Sequence, residues 1–265
     1  MGTAMVVDLA AAVTVISPHL DDAVFSCGGL IAAARAARVV TVFAGVPPAD
    51  MPAPDWDQAA GFASAEQAVL SRRREDNHAL TMLGAHAVWL DFWDSQYGRR
   101  YTARQLADAL RTVLLTQTEG VVVAPLGLFH SDHALVHDAC RLLMLAAHAH
   151  GPAWSAPLAA APTVAPTVAP SAAPTAAPPP VQWLFYEDAI YRRMPGLLQQ
   201  RLVQCRDSGL LATPVNLPVA QYLTQKSYAL NAYQSQLQLF SEDRLCDLCA
   251  PERYWMLQPA GAGPA

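Results

Sequence analysis

At 265 residues, 53% of them hydrophobic, the chain is long enough to fill one substantial α/β core. A formal charge of −5 with no basic run argues against nucleic acid or an anionic membrane surface as the main partner and leaves a small-molecule ligand. Residues 1–12 lack the basic start of a signal peptide, no apolar run reaches the roughly 18 residues of a membrane helix, and five scattered cysteines suit a reducing compartment, so a cytoplasmic location is expected.

Residues 13–16 (VTVI) form an apolar, β-branched run of the kind found in strands buried on both faces. Pro18 ends it, because proline cannot donate to a sheet ladder, and His19, Asp21 and Asp22 follow where the strand hands over to a helix. Ligands of open α/β sheets bind outside the carboxyl ends of strands, so these three residues are a candidate site. The plainer alternative is that Asp21 or Asp22 caps the helix. Residues 23–38 place Val24, Cys27, Leu30 and Ile31 at helical spacing, and Gly28 and Gly29 within that helix imply close approach by another segment. Residues 39–43 (VVTVF) read as a second buried strand, completing a βαβ unit with a parallel sheet.

The proline-rich residues 45–62 read as a long loop. Ser64 with Gln67 is a capping box that opens a helix to about Leu83, stopped by Gly84. The run RRRED at 72–76 reads as a solvated face, or alternatively as one arginine and Glu75 reaching the crevice. Residues 86–92 form a third strand and lead into DFWDSQYGRRY, whose mixed aromatic and charged side chains suit a polar ring. Thr102 with Gln105 is a second capping box, opening a helix to about Thr118, and residues 121–124 (VVVA) are a fourth strand.

His130-Ser131-Asp132-His133 then stands at the end of the fourth strand, repeating the topology of the first motif, and the sheet would bring the two loops together. His137 lies one turn after His133, but no H-E-x-x-H glutamate separates them, so a packing or supporting role is assigned to His137. Residues 151–180 collapse into Ala, Pro, Thr and Val with PTVAP repeated, a surface insertion within a single domain spanning 1–265. Residues 181–186 (VQWLFY) resume as a strand ending at Glu187 and Asp188. Residues 219–240 predict one long helix with Lys226, Tyr233 and Gln236 along it, and 251–257 a closing segment. Cys246 and Cys249 make only half of a structural zinc site.

A catalytic zinc commonly keeps three His or carboxylate ligands and one position for water. His19, Asp22 and His133 supply such a set. Asp21 is then free to act as general base, His130 to stabilise the oxyanion or protonate the leaving nitrogen, and Asp132 to orient a histidine. The segments SPHLDDAVFSCGG and HSDH resemble the H-P-D-D and H-P-D-H motifs of the PIG-L/LmbE-like family of zinc-dependent N-deacetylases, with weaker echoes in RRREDNHALTMLGA, FYED and KSYALNAYQSQ. That resemblance implies an α/β, Rossmann-like, mainly parallel sheet with helices on both faces. It also implies Zn2+, or another divalent ion such as Fe2+, on His19, Asp22 and His133, with Asp21 and His130 in the roles above. The implied substrate is an N-acyl, chiefly N-acetyl, amino-sugar metabolite. Leu20 and Ser131 stand where the family usually has proline, and Ala23 where glutamate commonly follows the aspartates. Arg73, Trp93, Tyr97 and Glu187 are candidate substrate-binding residues. Two other functions use the same residues: a metal-dependent esterase or phosphoesterase, and a non-catalytic sugar-binding protein with a vestigial site.

Overall fold

Side chains alternate across a strand, and in the central strands of this chain both sets are largely apolar. The computed structural model describes residues 11–114, 120–150 and 181–260, with 149 and 150 described by backbone only; the expected Ala/Pro-rich insertion lies outside the described residues. The strands are β1 (Ala12–Ser17), β2 (Ala36–Thr41), β3 (Ala85–Trp89), β4 (Val121–Pro125), β5 (Gln182–Tyr186), β6 (Leu210–Val215) and β7 (Tyr254–Pro259). They form one sheet in the order β3-β2-β1-β4-β5-β7-β6, parallel from β3 through β5, with β7 antiparallel to both of its neighbours.

The helices are α1 (Asp22–Ala33), α2 (Asp55–Ala59), α3 (Ala65–Met82), α4 (Ala103–Leu114), α5 (Ser131–His150), α6 (Leu197–Asp207), α7 (Leu223–Leu230), α8 (Gln234–Leu237) and α9 (Glu242–Cys249). Val13, Val15, Val39, Val121, Val123 and Leu184 face one core with α1, α3 and α7. Ile16, Val40, Val122, Ala124, Trp183 and Phe185 face the other, with α4, α5 and α6. Burial on both faces explains why these strands are continuous apolar runs, and each fully buried Val, Leu, Ile or Phe contributes roughly 1.5–3 kcal/mol.

The glycines of α1 meet a close neighbour. A Cβ on Gly28 would lie 2.6 Å from the Lys226 side chain, and Gly29 N–H donates to Glu252 at 2.8 Å. Lys226 and Glu252 form a buried ion pair at 2.9 Å beneath the helix. Both capping boxes form: Gln67 N–H donates to Ser64 Oγ and Gln105 N–H to Thr102 Oγ1.

Three expectations are corrected. The helix expected over 23–38 stops at Ala33, because Ala36 and Ala37 are already paired with Ala12 and Val13 in the sheet. The loop expected at 45–62 contains α2. The single helix expected over 219–240 is broken into a short turn at Ala220–Tyr222, then α7, then α8. At the second break the Tyr233 hydroxyl donates to Asp76 at 3.0 Å, and Ser235 donates through its N–H and Oγ to Glu75, so the Ser235 N–H finds on α3 the partner that a continuous helix would have supplied.

From β1 the chain proceeds through β2 to β3 on one side, while β4 and β5 lie on the other. The carboxyl ends of β1 and β4 therefore flank the point where strand order reverses, and both sequence motifs begin there.

Candidate active site

The loop after β1 is held by its own side chains. Ser17 Oγ donates to the His19 carbonyl at 2.7 Å and accepts from Ala23 N–H at 3.0 Å, while His19 N–H donates to Asp22 Oδ2 at 2.9 Å. Asp21 occupies the N-cap position of α1 but makes no capping bond. Its carboxylate instead lies 3.5 Å from Arg72 Nη2 on α3. The capping alternative therefore does not describe Asp21.

The loop after β4 is pinned at several points. Leu126 N–H donates to the Tyr186 carbonyl and Leu128 N–H to Asp188 Oδ2, each at 2.8 Å. Gly127 has φ 78°, and a Cβ there would meet the His137 Cβ at 2.7 Å. His137 Nδ1 lies 3.0 Å from the Pro125 carbonyl, so this residue braces the loop from α5. His133 projects from the first turns of the same helix.

These loops bring His19, Asp22 and His133 together, all buried, with ligand atoms within 4.8 Å of one another. Asp22 Oδ2 is 3.2 Å from His19 Nδ1 and 3.2 Å from His133 Nε2. A tetrahedral site with bonds of about 2.0 Å has edges of about 3.3 Å. Both histidines are oriented from behind: Asp188 Oδ1 lies 2.6 Å from His133 Nδ1, and Asp132 Oδ2 lies 3.2 Å from His19 Nε2 while accepting from Ser95 N–H. His130 and Asp132 form a second group with His19.

The field is that of a cation site. Burial disfavours a charged His19, yet Asp94, Asp132 and Asp22 hold its pKa well above the usual value. Burial is likewise overcome at His133, where Asp22 and Asp188 raise the pKa to about 9. At Asp22 burial is outweighed by His133 and His19, which keep its carboxyl well below the usual range. The donor set, its spacing and the surrounding carboxylates all fit a divalent ion. Asp21 differs from its neighbour: burial, then the charge of Asp22, raises its pKa to about 6 against Arg72 and the two histidines. Burial and the neighbouring His19 and His133 lower that of His130.

A cavity of about 380 Å³ opens above this cluster. His19, Asp21, Asp22 and His133 lie at its floor, Arg72, Asp94, Gln96 and Gln236 form polar walls, and Trp56, Phe129, Tyr191, Phe240 and Arg244 also line it. The four residues expected from sequence to touch substrate are placed elsewhere. Arg73 donates to the Ala44 carbonyl and stacks on Trp89, one helical step away from Arg72. Trp93 packs under Arg99, the Tyr97 hydroxyl is taken by Asp57 at 2.7 Å, and Glu187 accepts from Trp255 Nε1 at 2.9 Å. Asp188, beside Glu187, is the acid that reaches the site. The two adjacent acids at the strand end were a visible signal, but not which of them turns inward.

Residues 14–144 match the family model described as PIG-L, GlcNAc-PI de-N-acetylase. No curated protein matches. Among solved structures, a triple mutant of the teicoplanin-pathway deacetylase Orf2 is 26% identical, covering 95% of this chain and 100% of that one at a TM-score of 0.64. The A40926 pseudoaglycone deacetylase Dbv21 is 23% identical over 96% of this chain and 100% of its own, at a TM-score of 0.64. A zinc-inhibited form of teicoplanin deacetylase Orf2 is 24% identical over 95% and 100%, at 0.65. The family match spans both loops that build the cluster, and the fold is shared with these deacetylases along nearly the whole chain.

Proposed function

We propose that the chain is a divalent-metal-dependent hydrolase, with zinc as the first candidate ion, that removes an N-acyl group, chiefly acetyl, from the nitrogen of an amino-sugar metabolite. The observation that carries this reading is the convergence of His19, Asp22 and His133 at tetrahedral spacing beside an unligated carboxylate, Asp21. The match of residues 14–144 to a family described by de-N-acetylation supports it, as does a fold shared with the teicoplanin-pathway and A40926 pseudoaglycone deacetylases.

His133 would ligate through Nε2 with its Nδ1–H given to Asp188, and His19 through Nδ1 with Nε2–H given to Asp132. A bound divalent ion supplies Lewis acidity, which polarises an amide oxygen and lowers the pKa of a water ligand to about 7. Asp21 takes the proton from the attacking water, and its raised pKa suits proton transfer near neutral pH. Asp132 N–H donates to His130 Nδ1 at 3.3 Å, which leaves Nε2–H as the donor of a neutral imidazole. His130 thereby donates a hydrogen bond to the oxyanion as it develops. The proton held by Asp21 passes to the departing nitrogen, so water and amide become carboxylic acid and amine. Arg72, Asp94 and Gln96 offer donors and acceptors for sugar hydroxyls on the polar walls.

The test is release of free amine from N-acetylated amino sugars and their conjugates by metal-stripped protein titrated with Zn2+ or Fe2+. Metal is titrated rather than added in excess, since a related deacetylase exists in a zinc-inhibited form. His133→Ala is expected to lose metal, whereas Asp21→Asn keeps it and loses roughly 10²- to 10⁴-fold in turnover. An active, metal-free Asp22→Ala protein would sink the proposal, and release of acid from esters without release of amine would move it to an esterase.

A further inference from the structure

We propose that Cys246 and Cys249 form a thiol–disulfide exchange site, at which a small disulfide oxidises the two thiols to one intramolecular disulfide and excess small thiol restores them. The pair lies outside the candidate active site and stands or falls apart from the deacetylase reading. In sequence it is a single C-x-x-C, half of a structural zinc site. Among the described residues neither cysteine belongs to a group of three or more metal-ligating side chains. A metal would therefore lack its remaining ligands, whereas redox chemistry needs only the two thiols.

Placement divides the five cysteines into two kinds. Cys27, Cys140 and Cys205 are buried, and burial pushes each of these thiols above its usual pKa, away from the reactive thiolate. Cys246 and Cys249 are exposed. They stand three residues apart on α9, with Asp247 and Leu248 buried between them, so the helix turns its packed side to the protein and both thiols to solvent. The packed side is anchored without them: Asp247 pairs with Arg193, its carbonyl accepts from Arg192, and Leu248 sits in the core.

The end of the helix permits the bond to close. In an α-helix, residues three apart have Cα atoms about 5 Å from each other, inside the roughly 4.4–6.8 Å that a disulfide spans. Their Cβ atoms, however, lie about 5–6 Å apart, beyond the roughly 4.5 Å that it tolerates, so one residue must turn. Cys249 is the last helical residue, Ala250 is already extended at φ −71° and ψ 157°, and Pro251 follows. The Cys249 carbonyl is among the final four of the helix, which have no intrahelical partner, and turning it sacrifices no helical bond.

The exchange balances in two steps. One thiolate attacks a sulfur of the small disulfide, whose S–S bond breaks and releases one thiolate; the second cysteine then attacks the protein sulfur of the mixed disulfide and releases the other. The cysteines give up two electrons and two protons, and the small disulfide leaves as two thiols.

The experiment exposes the folded, full-length protein to oxidised glutathione near pH 8, blocks remaining thiols with iodoacetamide, and reads intact mass and peptide map. The parent should lose two free thiols and two hydrogens, carry a bond between Cys246 and Cys249 with no lasting glutathione adduct, and be restored by dithiothreitol. Cys246→Ser and Cys249→Ser, both at exposed positions, should each retain one glutathione, because the thiol that would expel it is gone. Across glutathione buffers the parent should be half-oxidised where the square of the reduced concentration divided by the oxidised one is of millimolar order or above, the effective concentration of groups joined by a short link. A stable glutathione adduct on the parent, disulfide-linked dimers, or thiols at 246 and 249 that remain open to iodoacetamide would overturn the proposal. A midpoint in the micromolar range would overturn it too, by showing that the helix holds the thiols apart.

Discussion

Asp188 decides how His133 is presented. Its Oδ1 lies 2.6 Å from His133 Nδ1 and its Oδ2 accepts from Leu128 N–H at 2.8 Å, so one carboxylate fixes both the ring and the loop beside it. An asparagine has one carbonyl oxygen and must turn an NH2 toward one of those two donors. Asp188→Asn is therefore expected to weaken metal binding by about 10- to 100-fold, measured by competition with a chromophoric chelator. Asp21→Asn, which touches no ligand nitrogen, should leave that affinity nearly unchanged; an unaltered affinity in Asp188→Asn would mean that His133 needs no such partner. The cluster itself was readable because His19, Asp21, Asp22, His130 and His133 fall within two short motifs at strand ends. Asp188 was not, because adjacent acids at the end of a strand point in opposite directions and the sequence does not say which faces inward.

The helix α5 illustrates how an element serves the site without entering it. His137 is buried against Phe185, with Nδ1 on the Pro125 carbonyl, and burial, with the nearby Arg201, lowers its pKa from 6.5 to about 3. A depressed folded pKa contributes stability that is present above the unfolded value and lost as pH falls toward the folded one. Between pH 7 and pH 5 the unfolded chain takes up a proton at this residue and the folded chain does not, at a cost of about 2 kcal/mol. His137→Asn retains a donor near the position of Nδ1 without titrating. The stability difference between parent and variant, from urea melts, should narrow by about that amount over this pH range. A constant difference would show that His137 is not held neutral. At this scale the strands were legible through their two-faced burial and two helices through their capping boxes. The charged run on α3 was not: Arg72 and Asp76 are buried, with Arg72 facing Asp21 and Asp76 binding Trp89 and Tyr233, a tertiary pairing that local periodicity cannot report. The C-terminal helices broke for the same reason, through bonds from Tyr233 and Ser235 to α3.

Parallel order puts β1 beside β4, and only that adjacency turns two motifs separated by a hundred residues of sequence into one site. The βαβ pattern at the chain start predicted such a sheet; the antiparallel β7 and β6 had no comparable signal, since their strands carry Pro214 and a mixed polar pattern. Because His19 and Asp22 come from one loop and His133 from another, the unfolded chain does not hold the three together, and an ion that binds them stabilises the folded state alone. At a free metal concentration about a hundred times Kd, this linkage adds about 2.7 kcal/mol, a rise in Tm of roughly 5–10 °C for a chain of this size. Melting curves of metal-stripped protein with and without Zn2+ should show that rise. Asp21→Asn should retain it and His133→Ala should lose it. Arg73→Ala, which removes a cation stacked on Trp89 away from the cavity, should lower Tm in both conditions while leaving the metal-induced increment intact. A metal-induced rise that persists in His133→Ala would place the ion on other residues, with the group formed by His19, His130 and Asp132 the first to examine.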